Sequence, residues 1–226
     1  MIFIALTSGS VALPAKADYN YEKFRENTMF FATPALDLQL FLLINQQWRL
    51  GIFDTIMPIL SSMGVLALCM GALFCLAIWK GGKRQIIFFL ILLTGMALSD
   101  FTTKTMKAQV YRVRPLNTLA GTHYVENGAW QTRPTTFVRT KERGTSYPSA
   151  HASTTMCLAV LAILLWPMLK LWPLILPMLV GYSRVYLGKH YPTDVLAGWL
   201  CGLVVAGVVW LVWKEIERRY LPPKRT

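Results

Sequence analysis

Residues 183–194, SRVYLGKHYPTD, lie between two long apolar runs and bring an arginine, a lysine, a histidine and an aspartate together in one short connection. Ionisable side chains at the edge of a membrane are costly, so such a cluster is by default a candidate functional site. Pro192 suits the first turn of a helix, which would place Asp194 one turn along from His190. Asp194 could then accept a hydrogen bond from the imidazole and leave the other ring nitrogen for chemistry. A polar cap on two membrane helices would explain the same residues.

The composition of the chain indicates a membrane protein. Of its 226 residues, 54% are hydrophobic and 15% are charged, whereas a soluble domain carries about 25% charged residues. The apolar residues occur in long runs, as they do in membrane-spanning helices. A net charge of +12 would suggest nucleic acid as the partner of a soluble protein. Here the basic residues fall mostly between or after the apolar runs, so we expect a lipid bilayer and no nucleic acid as partner.

The apolar runs predict an all-α fold, an integral membrane helix bundle with about five transmembrane spans. Residues 18–50 are predicted to lie at the outer surface of the membrane before the first span. In this segment Asp37 and Gln39 interrupt an apolar run, which indicates a helix in the membrane interface, although an ordinary packing helix fits as well. A long polar loop, roughly 108–148, separates the second span from the third. The spans themselves are expected at about 54–79, from 86 past 98, at 152–169, at 171–182 and at 195–213.

The ends of the chain and its basic residues predict an orientation. Residues 1–17 resemble the end of a secretory signal peptide but lack a positively charged start, so a truncated start or a first membrane helix would also explain them. Residues 51–215 are expected to form the membrane domain and residues 216–226 a basic cytoplasmic tail. Lysine and arginine in the 80–84 turn, at Lys170 and in the tail place that side in the cytoplasm. The long loop and the His190 turn then face the periplasm or exterior of a bacterial inner membrane.

Cations and histidines collect at three of the predicted outer ends. The second span leaves the membrane through Lys107 and Arg114, which would share one face of a helix that Pro115 ends. The loop returns at residues 148–151, PSAH, directly before the third span, and residues 183–194 follow the fourth. Converging cations suit a phosphate. Two histidines suggest a nucleophile or base and an acid.

These three segments resemble the signature of the type 2 phosphatidic acid phosphatase family, Lys-x6-Arg-Pro, Pro-Ser-x-His and Ser-Arg-x5-His-x3-Asp. Their order and spacing agree, and the resemblance covers about residues 35–215. Ala150 is a departure, because the family usually has glycine there; its N–H can still point at a phosphate unless φ must be positive. The resemblance implies a membrane lipid phosphatase without metal or other cofactor. The four cysteines, all in apolar runs without metal-ligand spacing, add no metal site.

The resemblance also implies a role for each site residue. His190 attacks phosphorus and forms a phosphohistidine, while Asp194 orients its ring. His151 protonates the leaving group and then activates water to hydrolyse the intermediate. Positioning and charge stabilisation, which phosphoryl transfer needs, come from the groups that hold the phosphate oxygens: Lys107, Arg114, Arg184, Ser149 and the N–H of Ala150.

For charged residues that are not among the motif positions, we expect roles other than holding the transferred phosphate. Arg112 is expected to be interfacial or structural, and Lys189 to be a lysine at the lipid surface. Loops as long as the one over 108–148 are usually functional or disordered. We expect this loop to contact the substrate headgroup through Arg133, Arg139, Lys141 and Arg143.

The predicted function is the hydrolysis of a lipid monophosphate or diphosphate at the outer face of the membrane. Undecaprenyl diphosphate, phosphatidylglycerol phosphate, phosphatidic acid and the 1-phosphate of lipid A all fit, because the motifs read only phosphate. One alternative is a phosphotransferase that moves phosphate from a polyprenyl diphosphate to another lipid. A second is a non-enzymatic membrane scaffold or transporter. The oligomeric state leaves no signal in the sequence.

Overall fold

The structure is a computed structural model that describes residues 33–220. The predicted signal-like segment, residues 1–17, and the last six residues of the predicted tail lie outside this range. The described chain is mostly helical, and α1 continues directly into a π-helical turn, Leu43–Gln47. Its helices are α1 (Ala35–Leu42), α2 (Gly51–Leu60), α3 (Met63–Val110), α4 (Ala150–Leu165), α5 (Ile175–Tyr186) and α6 (Pro192–Tyr220).

The helices differ in whether they could cross a membrane alone. Two stretches of the described chain are long and apolar enough to do so, Gly82–Asn117, which contains the second part of α3, and α6. The helix α2 and the first part of α3 meet at an angle of 61° and would together count as a third. With 16 and 12 residues, α4 and α5 are shorter than the about 20 residues of a straight span. A membrane helix bundle is thus confirmed in its coarse form, and the number of about five spans stays a prediction.

The end of α3 differs from the sequence prediction. The helix was expected to continue to Pro115, but it stops at Val110 because Tyr111 adopts a left-handed conformation with φ of 51°. The chain then runs extended, and the carbonyl oxygen of Arg112 accepts a hydrogen bond from the N–H of Ser146 at 2.8 Å. The prediction that Lys107 and Arg114 share a helix face was therefore wrong.

The loop between α3 and α4 contains a β-hairpin, which the all-α prediction missed. Strand β1 (His123–Glu126) pairs antiparallel with β2 (Ala129–Thr132). The two residues between them, Asn127 and Gly128, both have positive φ, at 52° and 79°, as a tight hairpin turn of this sequence requires. The indole Nε1 of Trp130 donates to the carbonyl oxygen of Asp54 at 3.0 Å. This bond fastens the hairpin to α2.

Close packing holds the start of α4 against the first half of α6. A Cβ atom at Gly202 would lie 2.3 Å from the carbonyl oxygen of Ser153, and one at Gly198 would lie 2.5 Å from that of Ser149. Small residues of this kind let two membrane helices approach closely. The hydroxyls of Ser99 and Ser153, 2.7 Å apart, join α3 to α4. The apolar core of the same three helices includes Phe88, Leu92, Leu158, Leu161, Val205 and Val209.

Helix α1 packs against the bundle through one polar and one apolar side chain. Asp37 and Phe41 are 2% and 0% exposed, whereas Leu36 is 65% exposed. Of the two polar residues that suggested a helix in the membrane interface, Asp37 is therefore buried inside the protein and Gln39 is exposed. The position of α1 at the membrane interface stays a prediction.

Candidate active site

The three sequence motifs meet at one end of the bundle. The N–H of Leu116, two residues after Arg114, donates to the carbonyl oxygen of Gly188 at 3.0 Å. The N–H of Ser149 donates to the carbonyl oxygen of Asp194 at 2.9 Å. These two backbone bonds hold the segment after α3 and the start of α4 against the turn between α5 and α6. The convergence expected from the sequence is thus present in the structure.

His190 is buried in that turn beside Asp194. The imidazole is 1% exposed, and its Nδ1 lies 3.6 Å from Oδ2 of the carboxylate, which is an electrostatic contact longer than a hydrogen bond. Burial lowers the pKa of His190 to about 4, against the opposing effect of Asp194. The imidazole is therefore neutral at pH 7, which is the state that a nucleophile needs.

The Asp194 carboxylate is completely buried and held on both oxygens. Oδ2 accepts hydrogen bonds from the Ser146 hydroxyl at 2.6 Å and from the N–H of Tyr191 at 2.9 Å. Oδ1 accepts one from Nη1 of Arg112 at 2.6 Å. Sequence reasoning missed both side-chain donors. Ser146 lies in the loop without a motif to mark it.

The start of α4 presents free backbone donors beside these groups. Ser149 is the N-cap residue, and its hydroxyl accepts a long hydrogen bond of 3.5 Å from the N–H of Ala152. The first N–H groups of a helix have no acceptor within the helix and form a ready anion site. Ala150 is not among the described non-glycine residues with positive φ, so the family's glycine is not required for backbone reasons here. His151 follows in the first turn, half-buried.

Four cations surround the site, and none of them has a carboxylate partner in the part of the chain that the structure describes. They are Lys107, Arg114, Arg184 and Lys189, and within residues 33–220 no carboxylate forms an ion pair with any of them. Arg184, which is 4% exposed, donates to the hydroxyl of Ser61 and keeps its buried Nε without a partner. Unpaired buried charge is unfavourable. The arrangement therefore favours an anion bound among these four side chains.

Lys189 belongs to this cluster, although the sequence suggested a lysine at the lipid surface. Its side chain is half-buried in the turn before His190. Burial, together with the nearby Arg184 and Arg114, lowers the pKa of Lys189 to about 8. The lysine thus lies in the same positive field as the motif arginines.

Arg133, one of the four predicted headgroup contacts, is engaged within the loop. Its Nε donates to the carbonyl oxygen of Leu116 at 2.8 Å. The guanidinium lies over the rings of Tyr124 and Phe137, 4.3 and 4.7 Å from their centres. These contacts tie the hairpin to the segment after Arg114.

The other predicted headgroup contacts lie toward the surface. Arg139 donates to the carbonyl oxygens of Lys141 and Glu142. Arg143 is exposed and lies 5.1 Å from the ring centre of Tyr111, and Lys141 is exposed. A contact of this loop with the lipid headgroup stays a prediction.

The part of the chain that the structure describes holds no cluster of three or more potential metal ligands.

Comparison with known proteins places this site in a family. The model of the PAP2 superfamily matches residues 88–218, a range that contains all three motifs. The chain belongs to the PAP2 superfamily. The undecaprenyl-diphosphatase of Sulfolobus acidocaldarius is 32% identical over 168 residues, which are 74% of this chain and 73% of that protein. This PAP2 chain is also 30% identical to the lipid A 4'-phosphatase of Bacteroides thetaiotaomicron over 131 residues, 55% of this chain and 52% of that protein.

A solved structure shares the PAP2 fold with this chain. The crystal structure of Aquifex aeolicus LpxE superposes with a TM-score of 0.60 at 20% identity and covers 81% of this chain and 99% of that one. At this identity the likeness concerns the fold. Together with the family match and the relatives, it confirms the predictions of an integral membrane protein and of a phosphatase that acts on lipid phosphates.

Proposed function

We propose that this PAP2 phosphatase hydrolyses the terminal phosphate of a polyprenyl diphosphate through a phosphohistidine on His190. The observation that carries the proposal is the cluster of four cations that have no carboxylate partner within residues 33–220, beside a buried, neutral imidazole. Phosphoryl transfer needs little more than positioning and stabilisation of charge on the equatorial oxygens. Lys107, Arg114 and Arg184 supply that stabilisation, together with the free N–H groups at the start of α4.

The first chemical step forms the covalent intermediate. Asp194 lies on the Nδ1 side of His190, so Nε2 is the nitrogen that attacks the terminal phosphorus. Burial and the neighbouring cations lower the pKa of His151 to about 3, so His151 takes up a proton only when the bound diphosphate offsets this positive field. The P–O bond to the bridging oxygen then breaks, and His151 donates its proton to that oxygen as the polyprenyl monophosphate leaves. The imidazole becomes an imidazolium, which the buried carboxylate stabilises as it does in other histidine–aspartate pairs.

The second step regenerates the enzyme. His151, now neutral, accepts a proton from a water molecule whose oxygen attacks the phosphorus of the phosphohistidine. The P–N bond breaks, inorganic phosphate leaves and His190 returns to its neutral form. His151 is protonated again and ready for the next substrate.

The position of Lys189 favours a lipid diphosphate over a lipid monophosphate as the substrate. Three cations are sufficient for the transferred phosphoryl group, and a fourth beside His190 provides a partner for the phosphate that stays on the lipid. The relative from Sulfolobus acidocaldarius is an undecaprenyl-diphosphatase by name, in agreement with this choice. Phosphatidic acid has no second phosphate for Lys189, and in phosphatidylglycerol phosphate and lipid A the second phosphate is separated from the first by a glycerol or by the sugars instead of one bridging oxygen.

The substrate is tested with purified protein in detergent against undecaprenyl diphosphate, phosphatidylglycerol phosphate, phosphatidic acid and lipid A. We expect kcat/KM to be highest for the diphosphate, and Lys189→Gln to lower it about tenfold, a loss of about 1.4 kcal/mol. The same change should lower kcat/KM for phosphatidic acid less than about threefold, because that substrate lacks the second phosphate. Lys214→Gln is the control, since Lys214 lies in the last turns of α6 and pairs with Glu217.

Three results, the last with an acceptor lipid added, would contradict the proposal. Equal or better hydrolysis of a monophosphate lipid would remove the assignment of a diphosphate. A uniform loss on all substrates in Lys189→Gln would assign the lysine to the transferred phosphate. Phosphate found on an added acceptor lipid, with little free phosphate, would favour the phosphotransferase alternative.

The proposed site faces the outer side of a bacterial inner membrane. Basic residues in the 80–84 turn, at Lys170 and at the end of α6 favour a cytoplasmic position for the opposite side. In a cysteine-free protein in intact cells, a membrane-impermeant maleimide should label Val138→Cys, in the exposed loop, and leave Arg218→Cys unlabelled. Both side chains are highly exposed, so the opposite labelling pattern would reverse the orientation.

A further inference from the structure

Arg112 lies directly behind the proposed catalytic pair. The side chain is 5% exposed. Its Nη1 donates to Oδ1 of Asp194 at 2.6 Å and to the hydroxyl of Thr193 at 2.7 Å. Its guanidinium carbon lies 4.1 Å from the ring centre of Tyr191. Arg112 therefore contacts the residue that follows His190 and the carboxylate that faces it.

Asp37 holds the other end of the same guanidinium. Its Oδ2 accepts a hydrogen bond from Nη2 of Arg112 at 2.5 Å and another from the Thr193 hydroxyl at 2.7 Å. Its Oδ1 accepts one from the N–H of Thr193 at 2.8 Å. Thr193 lies in the first turn of α6, so Asp37 also fixes the start of the helix that carries Asp194.

The charges of this group are not explained by stability. One guanidinium is shared by two carboxylates that are 2% and 0% exposed. Removing such ions from water is expensive, and apolar residues of similar size commonly stabilise a fold as well or better. Both terminal nitrogens of Arg112 are occupied by these partners, so they do not join the cations around the phosphate. An effect on Asp194 remains as the role for the charge.

We propose that Asp37 and Arg112 are positioning residues that hold the Asp194 carboxylate in place for His190, and that they act on the reaction only through Asp194. This inference rests on the proposed role of His190 as nucleophile. Asp37 precedes the range 88–218 that the PAP2 superfamily model matches. The support for Asp194 thus comes from a helix outside the matched region.

Substitution of Arg112 or Asp37 should lower kcat and leave the KM for the lipid substrate nearly unchanged. Arg112→Gln releases Oδ1 of Asp194, so the imidazolium formed on attack loses its correctly placed counter-ion; we expect kcat to fall about 30-fold, within the 10- to 100-fold range of comparable supporting residues. KM should change less than about twofold, because Arg112 does not touch the phosphate. Asp37→Asn should lower kcat about tenfold, and Arg112→Lys should keep part of the activity since one of the two carboxylate contacts survives.

The decisive comparison uses Asp194→Asn as background. If Arg112 acts through Asp194, adding Arg112→Gln to Asp194→Asn should lower kcat by less than about twofold further, because coupled residues are not additive. A general loss of structure would instead multiply the two effects. Lys104→Gln is the matched control on the same helix end, since it removes the exposed ion pair of Lys104 with Asp100 and should leave kcat unchanged.

Each outcome decides one point. Multiplied losses in the Asp194→Asn background, a rise in KM with unchanged kcat, or full activity of folded Arg112→Gln would overturn the inference. Thermal unfolding in detergent identifies variants that fail to fold, and Arg112→Lys and Thr193→Val then carry the same comparison. Activity that persists in His190→Ala would refute the proposed function itself, whereas an inactive His190→Ala beside a fully active Arg112→Gln would refute only this inference.

Discussion

His190→Ala should lose phosphate release by at least about 10³-fold while it still binds the lipid diphosphate. The imidazole is the only proposed nucleophile, and deletion of such a group removes the covalent route altogether. Binding should survive, because Lys107, Arg114, Arg184 and Lys189 remain. We would measure release of inorganic phosphate at saturating substrate, and the Kd of a non-hydrolysable methylene diphosphonate analogue beside it.

The chain offers a matched control for this variant. His123 is half-buried in β1, and its Nδ1 lies 2.8 Å from the hydroxyl of Thr132 within the hairpin. His123→Ala should therefore release phosphate within about twofold of the wild type. Residual activity above about 10% in His190→Ala, with His123→Ala unchanged, would show that another group attacks phosphorus.

His151→Ala should slow turnover by about 10²- to 10⁴-fold, the usual size of a lost general acid–base catalyst. The two steps should not suffer equally. A polyprenyl monophosphate is a good leaving group even without an acid, whereas attack of water on the phosphohistidine needs a base. The covalent intermediate should consequently accumulate in this variant.

Rapid quenching into alkali, in which phosphohistidine survives, measures that accumulation. We expect close to one phosphate per active site in His151→Ala and far less in the wild type during steady-state turnover. A variant that is slow but carries no more phosphoenzyme than the wild type would restrict His151 to the first step. A His151→Ala variant as fast as the wild type would remove it from the reaction.

The sequence was sufficient to predict that the proposed reacting groups lie close together. Pro192 starts α6 as expected, and His190, in the turn just before it, lies beside Asp194 in the first turn of the helix. The three motifs also converge, since each lies at the end of an apolar run that was predicted to leave the membrane on the same, outer side. Local spacing carries this information without any knowledge of tertiary contacts.

The support behind the site could not be predicted in the same way. Arg112 bonds to residues 75 and 82 positions away in the chain, and no local spacing encodes such pairs. Asp37 was interpreted as a sign of the membrane interface because a carboxylate in an apolar run is stable either in water or beside a cation. Only the tertiary structure shows which partner it has.

Two local features were missed for different reasons. The end of α3 was placed at Pro115, yet the left-handed turn at Tyr111 ends it earlier, and tyrosine gives little warning of that conformation. The hairpin was missed although Asn127-Gly128 is a common hairpin turn, because its two strands have only four residues each and no clear apolar alternation. Because of these two features, Arg114 and the loop arginines have positions relative to α3 that differ from those expected from the sequence.

The central claim is that His190 carries the phosphoryl group. The most direct test uses undecaprenyl diphosphate labelled with ³²P in the terminal phosphate, the His151→Ala variant, an alkaline quench and mass spectrometry of the proteolytic peptides. Labelled phosphate on His190, and none in the His151→Ala/His190→Ala double variant, is the predicted result. Label on any other residue, or continued phosphate release without a labelled His190, would contradict the account.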